Sequence, residues 1–105
     1  MFVNLLVSDV QEESKNPATT FRLHEAYPNP FNPSTMVTFD LPHESHVKIT
    51  VYDILGREVQ TLLNGLQLGG THLITFDPSR LRSGIYFCRA DAGTWSDVKK
   101  LVYIR

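Results

Sequence analysis

Apolar and polar positions alternate with a period of two through the middle and later parts of the chain. Val47-Lys48-Ile49-Thr50-Val51-Tyr52 directs Val47, Ile49 and Val51 to one side and Lys48 and Thr50 to the other. Successive side chains of a strand point to opposite faces, so this is the pattern of a half-buried β-strand. Met36-Val37-Thr38-Phe39-Asp40-Leu41 repeats it with Val37, Phe39 and Leu41. Further strands are expected at 59–63, 71–76, 85–90 and 98–104, the second of these with little preference between its faces. A seventh is expected either from the apolar stretch 2–10 or from Phe21-Arg22-Leu23. No segment sustains the apolar stripe of an amphipathic helix.

The corners carry turn chemistry. Asp53-Ile54-Leu55-Gly56-Arg57 reads as a tight hairpin, with Asp53 bonding the turn backbone and Gly56 taking the left-handed position. Asn64-Gly65 and Gly69-Gly70 are expected to bracket a second turn. Asp77-Pro78-Ser79 opens a connection that Ser83-Gly84 closes. Tyr27-Pro28-Asn29-Pro30-Phe31-Asn32-Pro33 forbids helix, removes three backbone donors and pushes the residues before each proline toward extended geometry. Tyr27 and Phe31 are expected to dock on the body of the fold. Short strands with turns at these intervals point to an all-β, immunoglobulin-like antiparallel β-sandwich of about seven strands.

Length sets one domain: the chain has 105 residues, 42% of them apolar, enough for a single core. Residues 11–20 are polar, aperiodic and contain Pro17. They read as a linker, so 1–20 is taken as linker or the tail of a preceding domain and 21–105 as the folded unit. Ten basic and eleven acidic residues leave a net charge of −1, which argues against a nucleic-acid footprint. The basic groups Arg80 with Arg82, and Lys99, Lys100 with Arg105, read as a solvated loop and a charged strand edge. No apolar run approaches a transmembrane length, and the first residues lack the basic region of a signal peptide. An export signal, where there is one, is expected upstream.

Catalytic chemistry finds little to work with. None of Ser34, Ser45, Ser79, Ser83 or Ser96 lies in a nucleophile elbow, and there is no phosphate-cradling glycine loop. His43 and His46 are three apart but nothing brings His24 or His72 to them as further metal ligands. Turn formation accounts for Asp53, Asp77 and Asp91 without calcium. Cys88 reads as a buried, inert thiol with no internal disulfide partner, and Trp95 as core or edge packing. No cofactor or metal is expected.

Five segments carry a resemblance. Tyr27-Pro28-Asn29-Pro30-Phe31-Asn32-Pro33-Ser34-Thr35 is followed by Val51-Tyr52-Asp53-Ile54-Leu55-Gly56-Arg57-Glu58-Val59. Gly70-Thr71-His72 with Phe76-Asp77, Leu81-Arg82-Ser83-Gly84-Ile85-Tyr86-Phe87 and Lys99-Lys100-Leu101-Val102-Tyr103-Ile104-Arg105 complete the series. In this order they resemble the type A C-terminal sorting domain of the type IX (Por) secretion system. The resemblance implies a non-catalytic module that follows an unrelated cargo and is recognised by outer-membrane secretion machinery. In many members of that family a sortase-like peptidase then removes it, and the cargo is left secreted or on the cell surface. It also implies a seven-stranded immunoglobulin-like sandwich. The family's G-x-Y segment falls on Gly84 and Tyr86, and its terminal sorting signal on Lys99, Lys100, Leu101, Val102 and Arg105. That terminal strand is expected to offer a free edge for strand addition. Two other readings of such a sandwich are a carbohydrate-binding module, with Trp95, Tyr52 or Tyr103 as stacking rings, and a structural spacer.

Overall fold

The computed structural model describes residues 20–78 and 80–104. Seven strands lie among them: β1 (Arg22–Leu23), β2 (Thr35–Leu41), β3 (Ser45–Tyr52), β4 (Glu58–Gln67), β5 (Gly70–Phe76), β6 (Gly84–Ala92) and β7 (Trp95–Tyr103). They form two antiparallel sheets, ordered β1-β2-β5 and β4-β3-β6-β7. This is an all-β sandwich with immunoglobulin-like connectivity, in which the fourth strand joins the larger sheet as a neighbour of β3.

The alternation read from the sequence builds the core. Val37, Phe39 and Leu41 of β2 face Val47, Ile49 and Val51 of β3 across the sandwich, and all six are buried. Phe76, Leu101, Tyr103 and the small side chains Cys88, Ala90 and Ala92 complete it. The undecided face of β5 is settled by His72, Ile74 and Phe76, which point inward. Phe21-Arg22-Leu23 supplies β1, pairing Arg22 with Asp40 and Leu23 with Phe39. The strand expected at 2–10 and nearly all of the linker expected at 11–20 lie outside the described residues.

Three local expectations are corrected. The third predicted strand runs on to Gln67, and Asn64-Gly65 lies inside it, with Gly65 opposite Val47. The turn is Leu68-Gly69 alone. A ladder partner as long as β3 extends the pairing through a dipeptide whose local preference is to turn. Thr50 is not solvated on the outer face but 1% exposed, and its Oγ1 has no hydrogen-bond partner. It sits at a break in register: Ile49 faces Leu63 while Thr50 faces Thr61, so Leu62 is the extra residue of a β-bulge. The bulge lets the consecutive Leu62 and Leu63 both pack against the core. Finally, Phe31 is buried as expected, but the Tyr27 side chain is 81% exposed and only its backbone is held, by reciprocal hydrogen bonds with Met36.

The hairpin between β3 and β4 forms as the sequence predicts. The Gly56 amide donates to the Asp53 carbonyl at 3.0 Å, with Gly56 at φ +81°. Asp53 Oδ1 accepts from the amides of Leu55 and Arg57, at 2.9 and 3.0 Å.

Candidate recognition ribbon

The structure brings the two halves of the expected sorting signal side by side. β6 and β7 pair with Gly84 opposite Tyr103, Ile85 opposite Val102, Tyr86 opposite Leu101, Phe87 opposite Lys100 and Cys88 opposite Lys99. Their side chains divide between the two faces. Tyr86 and Leu101 point into the core and are buried. The Tyr86 hydroxyl donates to the Arg82 carbonyl at 2.7 Å, tying the loop before β6 to the core as a tyrosine corner does. Gly84 opens β6 at φ +155°, a conformation that side-chain-bearing residues rarely adopt, with open space where a Cβ would stand. Lys99 shares the inward register, but at the margin of the sandwich its ammonium escapes to Glu25 at 3.3 Å. Lys100 is exposed on the outer face, and Val102 is half-buried beside Ile85. Arg105 lies outside the described residues.

β7 is an edge strand, but its outer edge is not free over its last residues. The proline-rich segment lies along it. The Asn29 carboxamide donates from Nδ2 to the Lys100 carbonyl and accepts at Oδ1 from the Val102 amide, both at 2.8 Å. A side-chain amide offers one donor and one acceptor in the spacing of a peptide group, so here it stands in for a strand residue. The backbone takes over at Phe31, whose amide donates to the Val102 carbonyl at 2.9 Å and whose carbonyl accepts from Ile104 at 3.1 Å. Phe31 then buries its ring against Tyr103, centroids 5.4 Å apart, and against Phe76 at 5.8 Å. The expectation of an edge open to strand addition is therefore corrected over residues 100–104, where Asn29 and Phe31 occupy it. Sequence reasoning missed Asn29. The available signal was an asparagine between two prolines, where the backbone itself has lost its donors.

The outer face of the ribbon is unusually apolar for a solvated surface. Ile85, Phe87, Val98 and Val102 share it, and Tyr52 of β3 stands opposite Phe87. Arg89 is paired with Asp91 at 2.9 Å on the same face.

The titratable groups answer to their surroundings. Burial pushes the Cys88 thiol up to about 12, so it stays protonated. Asp53 is held below its ordinary value of 3.8, chiefly by the Arg57 amide, against some desolvation, with the Arg57 side chain and the Leu55 amide helping. Partial burial raises Asp40, but hydrogen bonds from Thr71 and His24 outweigh it and the net shift is downward. His43 hydrogen-bonds near its own turn and His72 bonds the Leu68 carbonyl. Among the described residues, no three of the His, Cys, Asp and Glu side chains gather as metal ligands would.

A family model for the secretion system C-terminal sorting domain matches residues 25–105. The chain belongs to that family. The sorting domain is a signal for secretion, and the protein bearing it is a secreted or cell-surface one. No curated protein matches the sequence. Within the sorting domain, three of the five motifs meet at β7. The proline-rich segment lies along its outer edge, the G-x-Y segment along its inner edge, and the basic–apolar segment is the strand itself.

Proposed function

We propose that this domain carries a preceding cargo through the outer-membrane type IX machinery without performing chemistry, and that the machinery reads the β6–β7 ribbon. The convergence of three family motifs on β7 is the observation that supports this reading. The ribbon divides the labour. Tyr86 and Leu101 hold its geometry from beneath, and Gly84 sets the backbone at its start. Lys100 is presented outward, Lys99 stands at the margin beside Glu25, and Val102 and Arg105 complete the segment. With the last part of the β7 edge already paired, recognition works through side chains on the outer face. A sortase-like peptidase separates cargo from domain on the N-terminal side, leaving the cargo secreted or on the surface.

Two of the three rings that sugar stacking would use are engaged elsewhere, and the third, Tyr52, stands opposite Phe87 on the outer face. Trp95 stacks on Phe21 with centroids 5.3 Å apart, and Tyr103 is buried against Phe31.

The test is a reporter bearing an export signal and fused to residues 21–105, expressed in a bacterium that has the type IX machinery. Wild-type fusion is expected at the surface or in the medium. Lys100→Glu is expected to retain the reporter in the periplasm while leaving the fold intact by circular dichroism. Normal export of that variant would remove Lys100 from the signal, and periplasmic retention of the wild-type fusion would overturn the sorting reading altogether.

A further inference from the structure

The turn between β3 and β4 and the loop before β6 enclose a cleft of about 460 Å³, lined, Arg80 apart, by residues of two of the five motifs. Its floor continues the core: Val59 and Leu81 pack against the buried cluster, and Tyr86 is part of it. Its rim is apolar and exposed, with Ile54 at 69%, Leu55 at 73% and Ile85 at 41%. Side chains of this kind, gathered beside one cleft, mark a surface made to be covered.

The charge around the rim has one sign left over. Arg57, Arg80 and Arg82 all line the cleft, against the single carboxylate of Asp53. That carboxylate is committed, with Oδ2 accepting from Arg57 Nε at 2.8 Å. Among the described residues, neither Arg80 nor Arg82 has an ion-pair partner. Two guanidiniums of the loop before β6, without an ion-pair partner among the described residues, therefore line an apolar trough. A guanidinium binds a carboxylate through two parallel N–H groups, whereas the apolar floor offers only van der Waals contact.

We propose that this cleft docks a short acidic segment of a partner protein, an apolar side chain seated on Val59 and Leu81 with carboxylates on either side meeting Arg80 and Arg82. The proposal deepens the sorting reading, on which it rests for its biological setting, by naming the chemistry of the partner. A bare phosphate would leave the trough and its rim uncovered. A segment with apolar and acidic residues alternating satisfies both.

The test uses the full chain with labelled isoleucine and leucine methyls, titrated with a capped Asp-Leu-Glu-Ile-Asp peptide and observed by NMR. Saturable shifts are expected at Ile54, Leu55 and Ile85, and the Arg80→Glu/Arg82→Glu double variant is expected to weaken binding by about tenfold or more, as two charge-assisted contacts are lost. Equal binding of the matching Asn-Leu-Gln-Ile-Asn peptide would overturn the proposal, as would shifts confined to another face or none at all. Shifts produced by phosphatidylglycerol vesicles and not by the peptide would replace the protein partner with a membrane surface. Export of the reporter fusion separates the two readings. If the wild-type fusion reaches the surface and the double variant does so equally, the cleft plays no part and the sorting reading stands. If the wild-type fusion is retained, the sorting reading fails whatever the peptide does.

Discussion

Asn29 sits between two prolines and uses its side chain where a strand would use its backbone, bonding the Lys100 carbonyl and the Val102 amide. Asn29→Ala removes both bonds while leaving the proline frame in place. The expected loss is about 1–3 kcal/mol, read as a lower midpoint in urea unfolding at an unchanged slope. Asn29→Asp is expected to do worse than a neutral isostere predicts, because a carboxylate has no donor for the Lys100 carbonyl. Cys88 makes a second prediction at this scale. Its thiol titrates near 9.0 in the unfolded chain and is pushed up to about 12 by burial. The folded state therefore holds a proton that the unfolded state releases above about pH 9, and stability contributed by the buried thiol falls as pH rises from 9 toward 12. Below pH 9 it is fully present. Iodoacetamide at neutral pH is expected to modify Cys88 only under denaturing conditions, and rapid labelling of the native chain would contradict its burial.

At the scale of elements, the β3–β4 hairpin shows how much a local signal settles. Asp53 and Gly56 specify the turn by themselves, one as acceptor for two amides and the other by its left-handed backbone. Gly56→Ala places a Cβ at φ +81° and is expected to cost about 1–2 kcal/mol, measurable by thermal unfolding, with no change in the chemistry of the cleft. The same hairpin shows where local reading stops. Val37, Phe39, Leu41, Val47, Ile49 and Val51 were legible because each strand keeps strict alternation against a buried face. Thr50 was not, since it is buried at a break in register that only the pairing with β4 reveals, and Asn64-Gly65 was not, since β3 supplies ladder partners that override its preference to turn. Of the ribbon, the sequence showed which segments matter through their motifs, but not that they are neighbours. Asn29 and its β7 partners are separated by 71 and 73 positions, and no pattern within either segment records the other.

At the scale of the whole molecule, β7, the strand proposed as the signal, is also part of the structure. Leu101 is fully buried and Tyr103 nearly so, which makes the strand part of the only core among the described residues. Leu101→Ala is expected to cost about 2–5 kcal/mol, a large share of what a domain of this size has. Loss of export on truncating this strand would therefore report unfolding as readily as lost recognition. Lys100→Glu, at an exposed position, is expected to change stability by no more than about 0.5 kcal/mol. Chemical denaturation of both variants beside the export assay distinguishes a signal that is misread from one that is not folded.

The strap of Asn29 and Phe31 also has a kinetic meaning. It joins the beginning of the described chain to its end, and bringing such distant residues together costs loop-closure entropy before any bond rewards it. Sandwiches dominated by remote pairings are slow to form, on the order of milliseconds to seconds. The clasp lies on the edge of β7 opposite β6, so the ribbon is complete only when both edges of that strand are paired. A chain delivered across an inner membrane unfolded would therefore stay unlatched for an interval, and the moment at which the ribbon becomes presentable is set by that closure rather than by delivery.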